Sequence, residues 1–565
     1  MAANGERKTV APDQRCAIGL TFGNSYSSIA CTIDDSAVVI ANEDGDRQIP
    51  SILSYVDGEE YTGVQAKAFL VRNAENTVVS FRDFLGQDFK SIDPTHCHAA
   101  AHPQDASGSV AFSIKDKAEG DANTVSVSEV ATRYIRRLVQ SASDYLGKKV
   151  TSAVLTIPTN FTDKQCEALI QAANNADLEV LQLIKEPVAD VLAYDARPEA
   201  IVEDKNIVVA DLGGSRSDVA VIASRGGMYT ILATAHDYEF AGVHLDKVLM
   251  DHFAKEFMKK NKDVDPRENA RSLAKLKAES EAAKKALSIG TNASFSVESL
   301  AEGIDFQSTI NRLRYETVAR NVLGGINRLI EGVVKSAGLD VLDIDEVILS
   351  GGTSHTPKIA ANMRNIFPES TQIQAPSTNP SAINPSELQA RGAALQASLI
   401  QEYDTEDVEQ STHPAVTTMA HVTNAIGVVS VGHDGAETFS PIIAPETAVP
   451  ARRTIHINAP KEGGDVLIKV IEGNTHIKVT KPEPKAEKKG EKDEDDSDFS
   501  DEEEEEDKRE KVWKSGETLA EAAVRDIKKG SKVEVTVNVA ADLGVTITAR
   551  EVGGKGGVRG NIAAP

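Results

Sequence analysis

Three times in this chain an apolar run of strand length breaks on glycine. The first reads Ile18-Gly19-Leu20-Thr21-Phe22-Gly23-Asn24-Ser25-Tyr26. The second reads Asp211-Leu212-Gly213-Gly214-Ser215 after apolar residues 207–210, and the third Ser350-Gly351-Gly352-Thr353 after 345–349. A polyphosphate needs backbone N–H groups turned inward at a tight turn, and glycine lets the main chain approach that closely. One such turn is a weak signal, since glycine ends many strands that bind nothing. The sequence holds neither G-x-x-x-x-G-K-[ST] nor G-x-G-x-x-G, which argues against the P-loop and dinucleotide classes.

The surroundings of the turns read as α/β. Residues 15–400 alternate short apolar runs with helical patterns, as in a domain of layered sheets. Residues 153–157 form a strand-like run stopped by Pro158. Thr162 and Gln165 make a capping box ahead of Ala168, Leu169 and Ile170. Residues 179–184 are a further run, and Pro187 stands where a helix begins. Residues 266–287 predict a charged helix ending near Gly290. Residues 1–14 read as a flexible tail, and the acidic, polar residues 401–415 as a linker.

From 416 to 565 the pattern turns to β. Val466, Ile468 and Val470 alternate until Gly473 breaks the run. Val533, Val535, Val537 and Val539 lead through Asp542-Leu543-Gly544 into Val545, Ile547 and Ala549, a hairpin in a half-buried sheet. Residues 481–511 interrupt this region. Within them, 13 of the 17 residues from 491 to 507 are acidic, too many for apolar burial to offset the entropy of ordering, so a disordered insert is expected. Ser497 and Ser500, flanked by acids, are its candidate modification sites; a merely solvated insert is the simpler reading.

Composition removes several classes of function. A chain of 565 residues exceeds one core and implies two to four domains. A net charge of −25 with no densely basic window argues against direct DNA or RNA binding. No run approaches the ~18 apolar residues of a membrane helix. The first residues lack the apolar core of a signal peptide. Cys16, Cys31, Cys97 and Cys166 show no C-x-x-C spacing and read as reduced thiols of a cytosolic protein.

In their order and spacing the three turns resemble the actin-like ATPase domain of the seventy-kilodalton heat-shock chaperone family. The likeness extends to Gly63-Val64-Gln65-Ala66-Lys67, Asn76-Thr77-Val78, Phe84-Leu85-Gly86, Thr156-Ile157-Pro158, Glu186-Pro187, Gly242, Asp246, Gly303-Ile304-Asp305-Phe306 and Arg391-Gly392-Ala393-Ala394. It covers residues 15–400 and continues more weakly over 416–565. The fold it implies is a two-lobed, ribonuclease H-like ATPase domain followed by a truncated, β-sandwich-like substrate-binding domain. The cofactor it implies is ATP. Backbone around Gly23, Asn24, Ser25 and Tyr26, and around Gly213, Gly214 and Ser215, would hold the phosphates from two sides. Gly242 would lie beside them. Gly351, Gly352 and Thr353 would border the adenosine, with Lys284, Lys285 and Ser288 flanking adenine and ribose. Lys67 would match the lysine that helps activate the attacking water. Glu186 and Asp211 would match carboxylates around the metal, Asp211 through water, and Asp218 is kept as well.

The departures from the family pattern fall on the same cleft. Thr21 replaces an aspartate, and a hydroxyl cannot organise hydrated Mg²⁺ as a carboxylate does. Ser215 replaces a glycine, Arg216 a threonine, Val243 an acidic residue and His355 an arginine. Arg216 brings a permanent cation to the phosphate region, either to hold phosphate charge or to point outward. Losing one transition-state electrostatic group typically costs ~10²–10³-fold in rate, so ATP is expected to bind and stay intact, with Lys67, Glu186 and Asp211 vestigial. The 401–415 segment lacks the family's aliphatic linker, Val408 standing nearly alone, and no helical lid follows the β region.

This combination looks like the atypical fungal members that pair with zuotin, a J-domain protein, in the ribosome-associated complex. That resemblance implies a cytoplasmic heterodimer that reaches the ribosome mainly through its partner. It would assist a separate, active heat-shock chaperone on nascent polypeptide. The alternatives are an active ATP-driven peptide-binding chaperone, a kinase on the same actin-like fold, and a scaffold with an empty nucleotide site.

Overall fold

The computed structural model describes residues 9–93, 100–117, 120–197, 200–201, 203–261, 264–412, 420–431, 437–459, 462–480, 508–554 and 556–564. These fall into two compact units. One takes Met1–Ser224 with Ile231–Thr417, and the other Arg225–Thr230 with Thr418–Pro565.

The first unit is built on two sheets that share a topology. In the first sheet, Ala17–Phe22 pairs antiparallel with Tyr26–Ile33, which pairs with Ser36–Ile40. On its other side Ala17–Phe22 lies parallel to Ser152–Ile157, then Glu179–Lys185. In the second sheet, Lys205–Leu212 takes the same central place. Ser217–Arg225 and then Met228–Asp237 lie on one side, and Glu346–Ser350 and Gln372–Gln374 run parallel on the other. Strands buried on both faces explain the unbroken apolar runs. In each sheet the first hairpin ends in one of the glycine turns.

Helices cover the sheets where the sequence predicts them. Thr162 and Gln165 form the full reciprocal capping box of Asp163–Asn175. Pro187 occupies the first turn of Glu186–Asp195. The charged helix starts later than its sequence pattern suggests. It spans Ala270–Ile289 because the Asn269 side chain accepts from the amides of Arg271 and Ser272 and so fixes the start there. Leu388–Ile400 crosses the first sheet at backbone contact: a Cβ on Gly19 would overlap the main chain of Ala393 and Ala394. Phe253 stacks on Phe295 at 3.9 Å and meets Phe306 edge-on, anchoring the helix Gly242–Lys260 to the hairpin Asn292–Ala301/Ile304–Asn311.

The expected linker begins as structure. Residues Thr405–Thr412 form a helix that buries Val408. Arg15 fixes the chain leading into it, donating to the carbonyls of Gln401 (3.2 Å) and Tyr403 (2.5 Å) and to Thr405 Oγ1 (3.2 Å). Its Nε pairs with Glu179 at 3.0 Å. Of the predicted tail, Pro12–Gln14 form a 3-10 turn, and residues 1–8 lie outside the described residues.

The second unit holds two four-stranded antiparallel sheets around one valine- and isoleucine-rich core. One runs Glu437–Ile443, Ala425–Val431, Gly464–Thr480, Lys508–Ile527. The other runs Ala451–Asn458, Lys532–Val539, Val545–Glu551, Gly557–Ile562. The hairpin at Asp542–Gly544 forms as predicted, with Leu543 in the left-handed region at φ 69°. Gly473, however, does not end its strand. Gly464–Thr480 runs through it with a register shift, because the Phe439 ring lies over Gly473 and Gly427, with Trp513 5.1 Å away. A glycine that makes room for a cross-strand aromatic reads in sequence like a strand terminator. Residues 481–507 of the acidic insert, with Ser497 and Ser500, lie outside the described residues, as do Cys97 and residues 413–415 of the linker. Among the described residues no helix is long and apolar enough to cross a membrane.

Candidate functional site

The two glycine hairpins meet across a cavity of about 440 Å³ within the first unit. A Cβ on Gly214 would lie 2.5 Å from Ser25 Oγ, and Asn24 Nδ2 donates to Ser215 Oγ at 3.1 Å. Both turns are held from behind by their carbonyls. Ser51 Oγ binds the Gly23 carbonyl at 2.7 Å. The Gly213 carbonyl accepts from Gly242 N (3.0 Å) and Thr353 Oγ1 (2.9 Å), and the Gly214 carbonyl from Val243 N (2.8 Å). In a trans peptide the next N–H points opposite to the C=O. The amides of Asn24, Gly214 and Ser215 are thereby turned away from their anchors, toward the cavity their residues line.

The third turn completes the rim. Gly351 sits at φ 79° against Asp211 and Leu212, where no side chain fits. Gly352, Thr353 and His355 follow in a 3-10 turn along the cavity. Burial lowers the basicity of His355, whose Nε2 lies 3.1 Å from Ser386 Oγ. Lys284, Lys285 and Ser288 line the opposite side on the helix Ala270–Ile289. Ile289 joins them almost fully exposed, an apolar surface at the cavity mouth that the charge pattern of the helix concealed.

Two expected site residues stand elsewhere. Gly242 is not among the residues lining the cavity. Its amide supports Gly213 from behind, and its lack of a Cβ admits Thr353 Oγ1. Lys67 is likewise not among the residues lining the cavity. Its ammonium bridges both oxygens of Glu281 at 2.7 Å and donates to Tyr26 Oη at 2.9 Å, while Lys285 adds a further pair to Glu281 at 2.9 Å. Tyr26 belongs to the first sheet and Glu281 to a helix beside the second, so this cluster clamps one lobe to the other. The two lysines hold Glu281 ionised far below the usual carboxylate range, despite its burial.

Glu186, Asp211 and Asp218 bring one oxygen each to within 4.8 Å of one another, the sole such grouping of potential metal ligands among the described residues. Burial and mutual repulsion push Glu186 up to about 8 and Asp211 to about 6. Two buried arginines attend them. Arg216 forks onto Asp218, Nε to Oδ2 at 2.7 Å and Nη2 to Oδ1 at 2.9 Å, and reaches Tyr238 Oη and Asn160 Oδ1. Arg82 contacts Glu186 Oε1 at 3.1 Å, the Phe22 carbonyl at 3.3 Å and Asp83 at 2.7 Å. Arg82 escaped the sequence reading although the matched segments 76–78 and 84–86 bracket it, because its role depends on a carboxylate more than 100 residues away. Thr21 Oγ1 is buried at the cavity wall without a hydrogen-bond partner among the described residues.

The Hsp70 protein family model matches residues 17–480. The chain belongs to the Hsp70 family. A heat shock protein 70 homolog of Schizosaccharomyces pombe is 44% identical over 569 aligned residues, covering 100% of this chain and 97% of its own length. The ribosome-associated complex subunit SSZ1 of Saccharomyces cerevisiae is 42% identical, with 96% of this chain and 99% of its own length covered. The heat shock 70 kDa protein 14 of Danio rerio is 31% identical over 83% of this chain and 92% of its own length. Nucleotide binding goes with membership of this family, and the paired hairpin turns are the geometry for it.

Direct coordination of a divalent metal by these carboxylates fits this Hsp70 cleft poorly. Mg²⁺ needs oxygens at ~2.0–2.1 Å in a near-octahedral shell. Both oxygens of Asp218 already accept from Arg216, one oxygen of Glu186 from Arg82, and Asp211 Oδ2 from Gln389 at 2.8 Å. The uncharged Thr21 hydroxyl adds nothing that would draw a cation in.

Proposed function

We propose that this Hsp70 family member is an ATP-binding, hydrolysis-deficient chaperone subunit that pairs with a J-domain protein at the ribosome and assists co-translational folding. The observation that carries the reading is the contrast within one cleft. The main-chain cradle on both hairpins is intact, while the side chains that would act on a terminal phosphate are tied to one another. A general base must be able to take a proton. Arg82 cannot, being a guanidinium fixed on Asp83 and Glu186. Glu186, pushed up by burial, holds its proton well above the usual carboxylate range.

The binding role falls to groups that need no titration. The amides of Asn24, Gly214 and Ser215 face phosphate oxygens, the segment 351–353 borders the adenosine, and the Tyr26–Glu281–Lys67 clamp holds the lobes closed over the ligand. ATP then acts as a structural ligand that stabilises the folded first unit by mass action.

Similarity to SSZ1 along nearly the whole of both chains supports membership of a ribosome-associated complex in the cytoplasm. We assign zuotin as the J-domain partner, with ribosome contact made mainly through it. The complex would serve an active Hsp70 chaperone on nascent polypeptide. Mass analysis of nucleotide co-purifying with the native protein tests the first half, with intact ATP expected. Single-turnover hydrolysis of radiolabelled ATP at an ordinary chaperone rate would overturn it. Sedimentation with ribosomes tests the second half: the chain should pellet with its J-domain partner and stay soluble without it.

A further inference from the structure

We propose that Arg216 and Arg82 serve as the resident counter-ions of the triphosphate, so that this cleft binds ATP without a divalent metal. The inference rests on the reading of the cleft as an ATP site and goes further, to the ionic form of the ligand.

The argument is one of occupied valences. Arg216 is 5% exposed and lines the cavity, with four of its N–H groups bonded, two to Asp218, one to Tyr238 and one to Asn160. One N–H of the guanidinium is left for a ligand oxygen. Arg82, equally buried, lines the same cavity beside Glu186. A divalent ion bound to these carboxylates would sit ~2 Å from oxygens that lie 2.7–3.1 Å from guanidinium nitrogens. It would have to displace a bidentate pair or stand close to two fixed cations. Arg216 cannot deprotonate to make way.

The polyphosphate meets the opposite situation. Its oxygens can accept N–H groups from two guanidiniums that are partly offset by their acidic partners and held in position by Asp218, Asn160, Tyr238, Asp83 and the Phe22 carbonyl. That preorganisation does for the ground state what a metal does in a hydrolytic site, and it supplies no metal-held water.

Calorimetric titration of the nucleotide-stripped native chain with ATP, in excess chelator and in excess Mg²⁺, tests the proposal. ATP should bind more weakly in excess Mg²⁺ than in chelator, by about tenfold or more, because the metal must be stripped from the nucleotide before it enters the cleft. Equal constants in the two buffers, or weaker binding in chelator, overturn it. Absence of binding in both buffers overturns the ATP reading as well, which separates the two failures. Arg216→Thr, checked for folding by circular dichroism, should raise the ratio of dissociation constants in chelator and Mg²⁺ by about tenfold or more over native. A ratio unchanged from native overturns the assignment to Arg216. A second measurement needs no variant. Electron paramagnetic resonance of Mn²⁺·ATP should show free Mn²⁺ rising as the native chain captures the nucleotide, by reciprocity of linked equilibria. An unchanged or smaller free signal overturns the proposal.

Discussion

Replacing Glu281 by alanine should loosen the cleft while leaving the main-chain anchors of both phosphate turns in place. The carboxylate accepts from Lys67 through both oxygens at 2.7 Å, from Tyr26 Oη at 2.5 Å and from Lys285 at 2.9 Å. Lys67 and Glu281 are 27% and 19% exposed at their side chains, so water screens the pair only in part. Hydrogen bonds to charged groups contribute ~1.5–3 kcal/mol each when well made, and partial exposure puts this cluster as a whole at about 2–3 kcal/mol. If that energy is present only with the lobes closed, its loss raises the open-to-closed ratio by about 30–150-fold. Stopped-flow release of a fluorescent ATP analogue reads that ratio directly, and Glu281→Ala should accelerate release by about that factor. Glu281→Gln, which can still accept from Tyr26, should fall between variant and native. In a double-mutant cycle with Lys67→Ala the coupling should exceed about 1 kcal/mol. Release unchanged within about threefold, or additive single effects, would refute the clamp.

Gly214→Ala should weaken ATP binding by about tenfold or more, because the new Cβ collides with Ser25; Ser25→Gly in the same chain should restore much of the loss in a calorimetric titration. Gly473→Ala places a methyl 2.6 Å from the Phe439 ring and should cost the second unit ~1–3 kcal/mol, read as faster proteolysis there, with Phe439→Leu as the compensating change. Glu186 supplies a pH signature. Its unfolded pKa is ~4.3 and its folded value about 8, so across that interval the folded state binds more protons. Stability of the nucleotide-free chain then falls as pH rises toward 8. Its melting temperature should be lower at pH 8 than at pH 6.5, and Glu186→Gln should flatten that slope. Depressed histidines such as His355 act in the opposite sense, and only near and below their unfolded pKa of ~6.5.

Features legible in the sequence were those set by short-range chemistry. The capping box at Thr162 and Gln165, the first-turn proline at 187, the glycine hairpins and the valine alternation of 533–539 each depend on neighbours within a few residues. Features hidden from it depended on contacts between distant segments. Gly473 passes for a strand end until Phe439 is seen above it. The linker passes for unstructured chain until Arg15 and Glu179 arrive from the far end. Lys67 carried a family match yet belongs to the lobe clamp, while Arg82, in a less distinctive stretch, sits at the acidic centre. Ion pairing of this kind leaves no periodic trace, because each partner comes from a different element.

The close seat of Leu388–Ile400 on Gly19 sets a timetable for making the protein. The helix that covers the strand at the heart of the first sheet, and the carbonyls that Arg15 ties down, are translated nearly four hundred residues after that strand. Sequence-distant closure is slow and leaves apolar surface open in the meantime. A growing chain of this protein therefore carries an uncovered central strand until the final turn of that helix clears the exit tunnel.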